Sequence, residues 1–156
     1  MTEVNWDDAQ AFIQKLNQLT GHTDRLPSEA EWEYACRAGS TGQWCFGDSE
    51  SQLKDYAWYF DSDRRLHPVG EKKANAFGLY DMHGNAYEWC EDKWHGNYHG
   101  SPSDGRAWVD GDHVERVLRG GFWNDTASKT RSASRSFCSP VLRAAYNCFR
   151  VARTAP

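Results

Sequence analysis

Apolar residues near the start of the chain recur at Trp6, Ala9, Phe12, Ile13, Leu16 and Leu19. This is the i, i+3, i+4, i+7 spacing that lays one stripe along an α-helix. Asn5 stands where an N-cap is needed, Asp7 and Asp8 put negative charge in the first turn, and Gly21 follows as a stop. A second helix start is sharper. After Pro27, Ser28-Glu29-Ala30-Glu31 forms a capping box in which Ser28 caps the helix and Glu31 reaches back to the Ser28 amide. That helix turns Trp32, Ala35 and Cys36 inward and stops near Gly39. Beyond it the helical period disappears. Short runs at 57–59, 86–90 and 116–118 sit between Gly, Asn, Asp and Pro turns and predict strands and loops. The polar, Gly/Asp-rich stretch 101–111 predicts an exposed loop, because no composition shift divides the chain around it. Two helices followed by a loop-rich β region predict an α+β domain, without internal repeats.

Composition narrows the partners. A chain of 156 residues suits one domain with one core. Only 39% of it is apolar and its mean hydropathy is −0.84, yet eight Trp, seven Tyr and seven Phe are available to bury, so the core should be aromatic. The net charge is −4, with acids and bases interspersed, so neither a basic face for nucleic acid nor a polybasic stretch for membrane lipid is present. No apolar run approaches the roughly 18 residues of a membrane span, and Met1 leads into an amphipathic pattern without a signal-peptide core. Cys36, Cys45, Cys90, Cys138 and Cys148 are odd in number, scattered, and never form a CxxC pair. Reduced thiols follow, with Cys36 and Cys90 as small apolar filler.

Four segments, in order, carry a family resemblance: Val4-Asn5-Trp6-Asp7-Asp8-Ala9; Arg25-Leu26-Pro27-Ser28-Glu29-Ala30-Glu31-Trp32-Glu33-Tyr34-Ala35; Phe77-Gly78-Leu79-Tyr80-Asp81-Met82-His83-Gly84-Asn85-Ala86-Tyr87-Glu88-Trp89; and Arg116-Val117-Leu118-Arg119-Gly120-Gly121. Phe149-Arg150-Val151 closes the set. Together they resemble the formylglycine-generating-enzyme (sulfatase-modifying factor) family. The resemblance implies a C-type-lectin-like fold of that subtype over the whole chain, with the strands that usually precede the Val4 segment absent or shortened. It does not by itself imply activity, which belongs to the site.

Members that make formylglycine are described as binding copper through two cysteines just after the Arg-Gly-Gly motif. Here Phe122-Trp123-Asn124-Asp125-Thr126-Ala127-Ser128-Lys129-Thr130-Arg131 stands there, without a thiol for Cu(I). Catalytic residues are therefore not expected. Asp81, Gly84, Ala86 and Glu88 fall on positions that resemble a family calcium site, two carboxylates and a turn supplying hard oxygens. The alternative is a turn whose acids pair with arginines. Calcium is the one cofactor the resemblance implies, and none is required.

From Thr130 to the end there is no Lys, Glu, Gln, Met or Trp. Randomising the adenines of AAC codons excludes the same set of residues. Phe122, Asn124, Asp125, Thr126, Ser134, Ser136, Phe137, Cys138, Ser139, Val141, Leu142, Ala144, Ala145, Tyr146, Asn147 and Cys148 all belong to what remains. Trp123, Ala133, Pro140 and Arg143, encodable without adenine, stand fixed between them. The segment 122–148 thus resembles the variable region of diversity-generating-retroelement proteins. What this implies is a ligand-binding segment, with Phe122, Phe137, Val141, Leu142 and Tyr146 as low-entropy anchors and a protein surface as partner. Phe149 and Val151 are expected to be buried. Arg119, Arg131, Arg135, Arg143 and Arg150 are expected to pair with acids such as Glu88, Glu91 or Glu31. A formylglycine-type oxidoreductase and an inert accessory domain are the competing readings.

Overall fold

The computed structural model describes residues 3–60 and 64–154. Helix α1 (Trp6–Thr20) opens on Asn5, whose side chain accepts the Asp8 amide while the Asp8 carboxylate accepts the Asn5 amide, and it closes on Gly21 with φ 70°. Helix α2 (Glu29–Arg37) opens on the Ser28/Glu31 box and closes on Ala38 in the left-handed region. A short helix, α3 (Leu53–Tyr56), interrupts the stretch expected to hold only strands and loops.

Among the described residues, three small sheets complete the α+β architecture. Strand β1 (Asp24–Arg25) pairs antiparallel with β8 (Ala152–Arg153). Strand β2 (Ala57–Trp58) pairs parallel with β3 (His83–Gly84). At Gly84, with φ 96°, an added Cβ would lie 2.2 Å from the Trp58 carbonyl oxygen, so only glycine permits this pairing. The central sheet runs β6-β5-β4-β7. Strands β4 (Tyr87–Lys93), β5 (Arg116–Arg119) and β6 (Arg135–Cys138) are antiparallel neighbours, and β7 (Asn147–Cys148) lies parallel to β4.

Alternation along β4 and β5 sends their side chains to two cores. Trp89 and Leu118 meet Ala9 and Ile13 of α1, together with Leu26. Cys90 and Val117 meet Trp32 and Cys36 of α2, together with Met82. The sheet is therefore held between the two helices that the sequence pattern identified. The α1 stripe is only half used. Trp6, Ala9 and Ile13 reach the sheet, whereas Phe12 is 42% exposed and Leu19, beyond the last core residue Ile13, is 77% exposed. Phe149 packs partly buried on this core and edge-on to Phe12, whereas Val151, expected inside, is exposed. The loop 101–111 carries no strand or helix and is largely exposed, and no helix among the described residues is long and apolar enough to cross a membrane.

Candidate functional site

The face of the sheet that meets α2 is organised by charge. Glu29 and Glu33 lie one turn apart on α2, on the same side as Trp32 and Cys36. Arg135 grips both oxygens of Glu29 at 2.6 and 2.7 Å. Arg119, fully buried, joins Glu33 to the carbonyls of Ser132 and Ser134. The Arg135 guanidinium also lies 4.4 Å over Trp94 and 4.3 Å over Tyr98. These contacts fasten β5, β6 and the start of the C-terminal segment to α2. The acids are not the ones the sequence suggested, apart from Glu88, which takes Arg150. Glu31 pairs instead with Arg25, and the Glu91 side chain takes Gln10.

On the α1 face the predicted variable positions gather around one residue that sequence reasoning passed over. Tyr87 sits with the Phe122 ring at 5.7 Å and the Tyr146 ring at 6.5 Å, and those two rings are 4.6 Å apart. Burial, followed by a hydrogen bond to Asp125, pushes the Tyr87 phenol well above its ordinary pKa, while a second bond, to Ser136, pulls the other way. Asp125 is held in turn by the Phe122 amide at 3.2 Å. Tyr87 shares the face of β4 that carries Trp89, and this period of two is the signal that could have found it. Residues 139–146 then cross the start of α1. The Pro140 carbonyl accepts the Trp6 amide, the Val141 carbonyl accepts the Asn5 side chain, and Arg143 pairs with Asp8.

Around this centre Asn124, Thr126, Ser139, Val141, Leu142, Ala145 and Tyr146 are exposed, and Ala144 is half-buried. The Ser134 hydroxyl donates to the Ser128 carbonyl at 2.7 Å. Phe137 is exposed too, but faces the other way, with its ring 4.6 Å from Trp94. Three positions depart from the expected exposed surface. Cys138 packs against the α1 core, and Cys148 lines a cavity on the α2 face. Asn147 is fully buried, and both polar atoms of its amide lack a partner. The reason is positional: β7 lies beside β4, so its residues share the burial of that strand.

The thiols are dispersed. Cys138 on β6 and Cys148 on β7 occupy opposite edges of the central sheet, with β5 and β4 between them. Burial pushes both up from the ordinary thiol pKa, Cys45 up to about 11 and Cys36 up to about 12, so all four stay protonated near neutrality. His83 lies beside Cys36 at 3.7 Å but cannot serve it as a base. Its Nδ1 faces the Thr130 carbonyl at 2.8 Å and so carries the proton, and its Nε2 accepts the Cys45 amide at 3.1 Å. Burial lowers its pKa to about 4.

Asp81, Gly84, Ala86 and Glu88 do converge, on the wall of a cavity of about 470 Å³. Their donors nevertheless do not fit a calcium ion as a set. Both Glu88 oxygens are held by Arg150 at 2.5 Å, and one also accepts the Trp32 indole at 2.6 Å, so its charge is already neutralised. One Asp81 oxygen accepts the Gly70 amide at 2.8 Å; the other has no partner. Calcium takes six to eight oxygens, and a carboxylate whose oxygens are both held by a guanidinium is a poor donor to it. Among the described residues no group of three His, Cys, Asp or Glu side chains is placed to hold a metal.

Comparison with known proteins bears on the family and the fold. The family model described as "Sulfatase-modifying factor enzyme 1-like domain" matches residues 1–155. Among curated proteins, a serine/threonine-protein kinase pkn1 of Chlamydia caviae is 42% identical over 140 residues, covering 88% of this chain and 21% of that protein. The formylglycine-generating enzyme of Streptomyces coelicolor is 29% identical over 171 residues, covering 99% of this chain and 52% of the enzyme. The chain thus spans between about a fifth and a half of these relatives. Among solved structures, PvdO from Pseudomonas aeruginosa superposes with a TM-score of 0.92 at 39% identity, covering 99% of this chain and 61% of that one. Treponema denticola variable protein 1 superposes at 0.89 with 30% identity, covering 97% and 69%. The α+β fold is the C-type-lectin-like one that the sequence resemblance implied.

Proposed function

This chain belongs to the sulfatase-modifying factor enzyme 1-like domain family, and within it we propose a ligand-binding domain, not a catalyst, whose contact surface is the segment 122–148. One observation carries the reading. Where copper-binding thiols would follow the Arg-Gly-Gly motif, the chain instead sets Phe122, Asp125 and Tyr146 around Tyr87, with exposed Val141 and Leu142 nearby. Large rings with few rotatable bonds lose little entropy on contact, and hydroxyl and amide side chains around them adapt to a partner's polar groups. The likeness to a variable protein supports the same assignment, as does a framework encodable without adenine between the exposed positions. The ligand we propose is a protein surface, and its identity belongs to each variant of the segment. In this reading Cys138, Asn147 and Cys148 influence binding only through the backbone they support.

The test has two arms. Nine-residue peptides are selected from a random display library against the protein, and the tightest is measured in solution. Tyr146→Ser should weaken it about tenfold or more with the melting temperature unchanged. The protein is also incubated with Cu(I), oxygen and a cysteine-containing sulfatase peptide, and no formylglycine is expected. Product would restore the enzyme. Equal peptide binding by both proteins would favour an inert accessory domain.

A further inference from the structure

Strand β6 closes one edge of the central sheet, and the direction of its backbone groups follows from a hydrogen bond at the opposite edge. The Tyr87 amide donates to the Tyr146 carbonyl at 2.9 Å, so Tyr87 directs its backbone towards β7. Alternation turns the backbone groups of Glu88 towards β5, where its register partner is Arg119. Arg119 therefore faces β4, and its neighbour Leu118 faces β6, opposite Ser136. One residue further along, Phe137 must point its N–H and C=O away from the sheet, and Arg135 must do the same. Among the described residues no hydrogen bond reaches the backbone of either from outside the sheet.

Natural edges are commonly screened by a charged side chain or by proline within the strand. Neither device operates on β6. The Arg135 guanidinium is drawn inward onto Glu29, and Pro140 lies beyond the strand with its carbonyl committed to the Trp6 amide. Phe137 is 50% exposed and leans on Trp94, which leaves an apolar floor beside the open edge.

We propose that the protein ligand is engaged by strand addition: an extended segment of the partner lies along β6 and exchanges N–H···O=C bonds with Phe137. This rests on the binding reading above and specifies its geometry. An outward row of alternating amide and carbonyl is complementary to another extended backbone. Such bonds do not depend on side-chain identity, so the anchor survives when Ser136, Phe137 or Cys138 changes, and the replaced side chains select the partner. Proline at position 137 is the exception, since it alone removes the outward donor.

The experiment uses the peptide selected above, titrated into the whole chain by calorimetry. Phe137→Ala removes the ring and keeps the amide. Phe137→Pro removes both, and it leaves the β5 ladder intact because that amide faces outward. The expected result is a loss of several-fold for Phe137→Ala and at least a further tenfold for Phe137→Pro. N-methylation of the peptide's central amides should cause a comparable loss, which keeps the test decisive should the proline variant fail to fold. The Phe137 amide should also exchange with deuterium more slowly once the peptide is bound. Equal losses for the two variants, with binding indifferent to N-methylation, overturn strand addition. If Tyr146→Ser still abolishes that binding, the binding reading stands without it. A protein that selects no peptide at all overturns both.

Discussion

Two regions of this molecule handle polar groups in opposite ways. Across the face that meets α2, Glu29, Glu33, Arg119 and Arg135 are buried or half-buried and held by one another, so that each charge has a fixed partner from another element. Across 122–148 several exposed or half-buried polar side chains bond only within the segment, as Ser134 does to Ser128 and Thr126 to Ser128, while Arg135, Arg143, Thr130 and Ser132 reach other elements. A substitution in the first region strands a charge in the interior. In the proposed reading, a substitution in the second changes only the surface offered to a ligand. On that reading the fold separates what holds it together from what varies, and Cys138, Asn147 and Cys148 are the positions where the separation fails.

The comparison can be broken most forcefully at Arg119. Arg119→Ala leaves Glu33 without its buried partner and should cost about 3–5 kcal/mol in denaturant unfolding. A loss below about 1 kcal/mol would mean that the charge network does not fasten the sheet to α2. His83 is the next largest effect. Its folded pKa of about 4 lies below the ordinary 6.5, so the unfolded chain takes up the proton first as pH falls. Stability should be fully present above about pH 6.5 and fall by about 3 kcal/mol as pH drops to about 4. In His83→Gln that part of the slope should vanish, and an unchanged slope would assign it to other groups. Asn147→Val replaces a buried amide with two unpartnered atoms and should raise stability by about 1 kcal/mol, whereas a loss of that size would mean the amide has a partner. The smallest effects belong to the exposed surface. Val141→Ser and Tyr146→Ser should each change stability by less than about 0.5 kcal/mol, and a larger loss would make those side chains part of the core.

Much of the scaffold was legible because its signals are local. The caps at Asn5 and Ser28 depend on residues three apart, and both helices begin where those residues stand. The partners of the arginines were also within reach. Positions 29, 32, 33 and 36 form one helical stripe, so Glu29 and Glu33 had to face inward with Trp32 and Cys36. What the sequence did not disclose is long-range pairing. The parallel approach of β7 to β4 joins residues about sixty apart in the chain, and no local pattern encodes it. That pairing explains why Asn147 and Cys148, which read as surface positions by codon type, lie against the framework. The positions that resemble a calcium site show the same long-range dependence. The four do come together, but Arg150, distant in sequence, arrives to neutralise Glu88.

The most direct test of the account is to sequence the genomic DNA beside the gene and compare its 3′ end with any nearby near-copy. The account predicts a copy that differs only where it carries adenine. Those differences should fall in codons of residues 122–148, sparing Glu29, Tyr87, Arg119 and Arg135. No such copy, or differences spread equally over the codons of the buried charge network, would contradict the reading of this segment as a diversified binding surface.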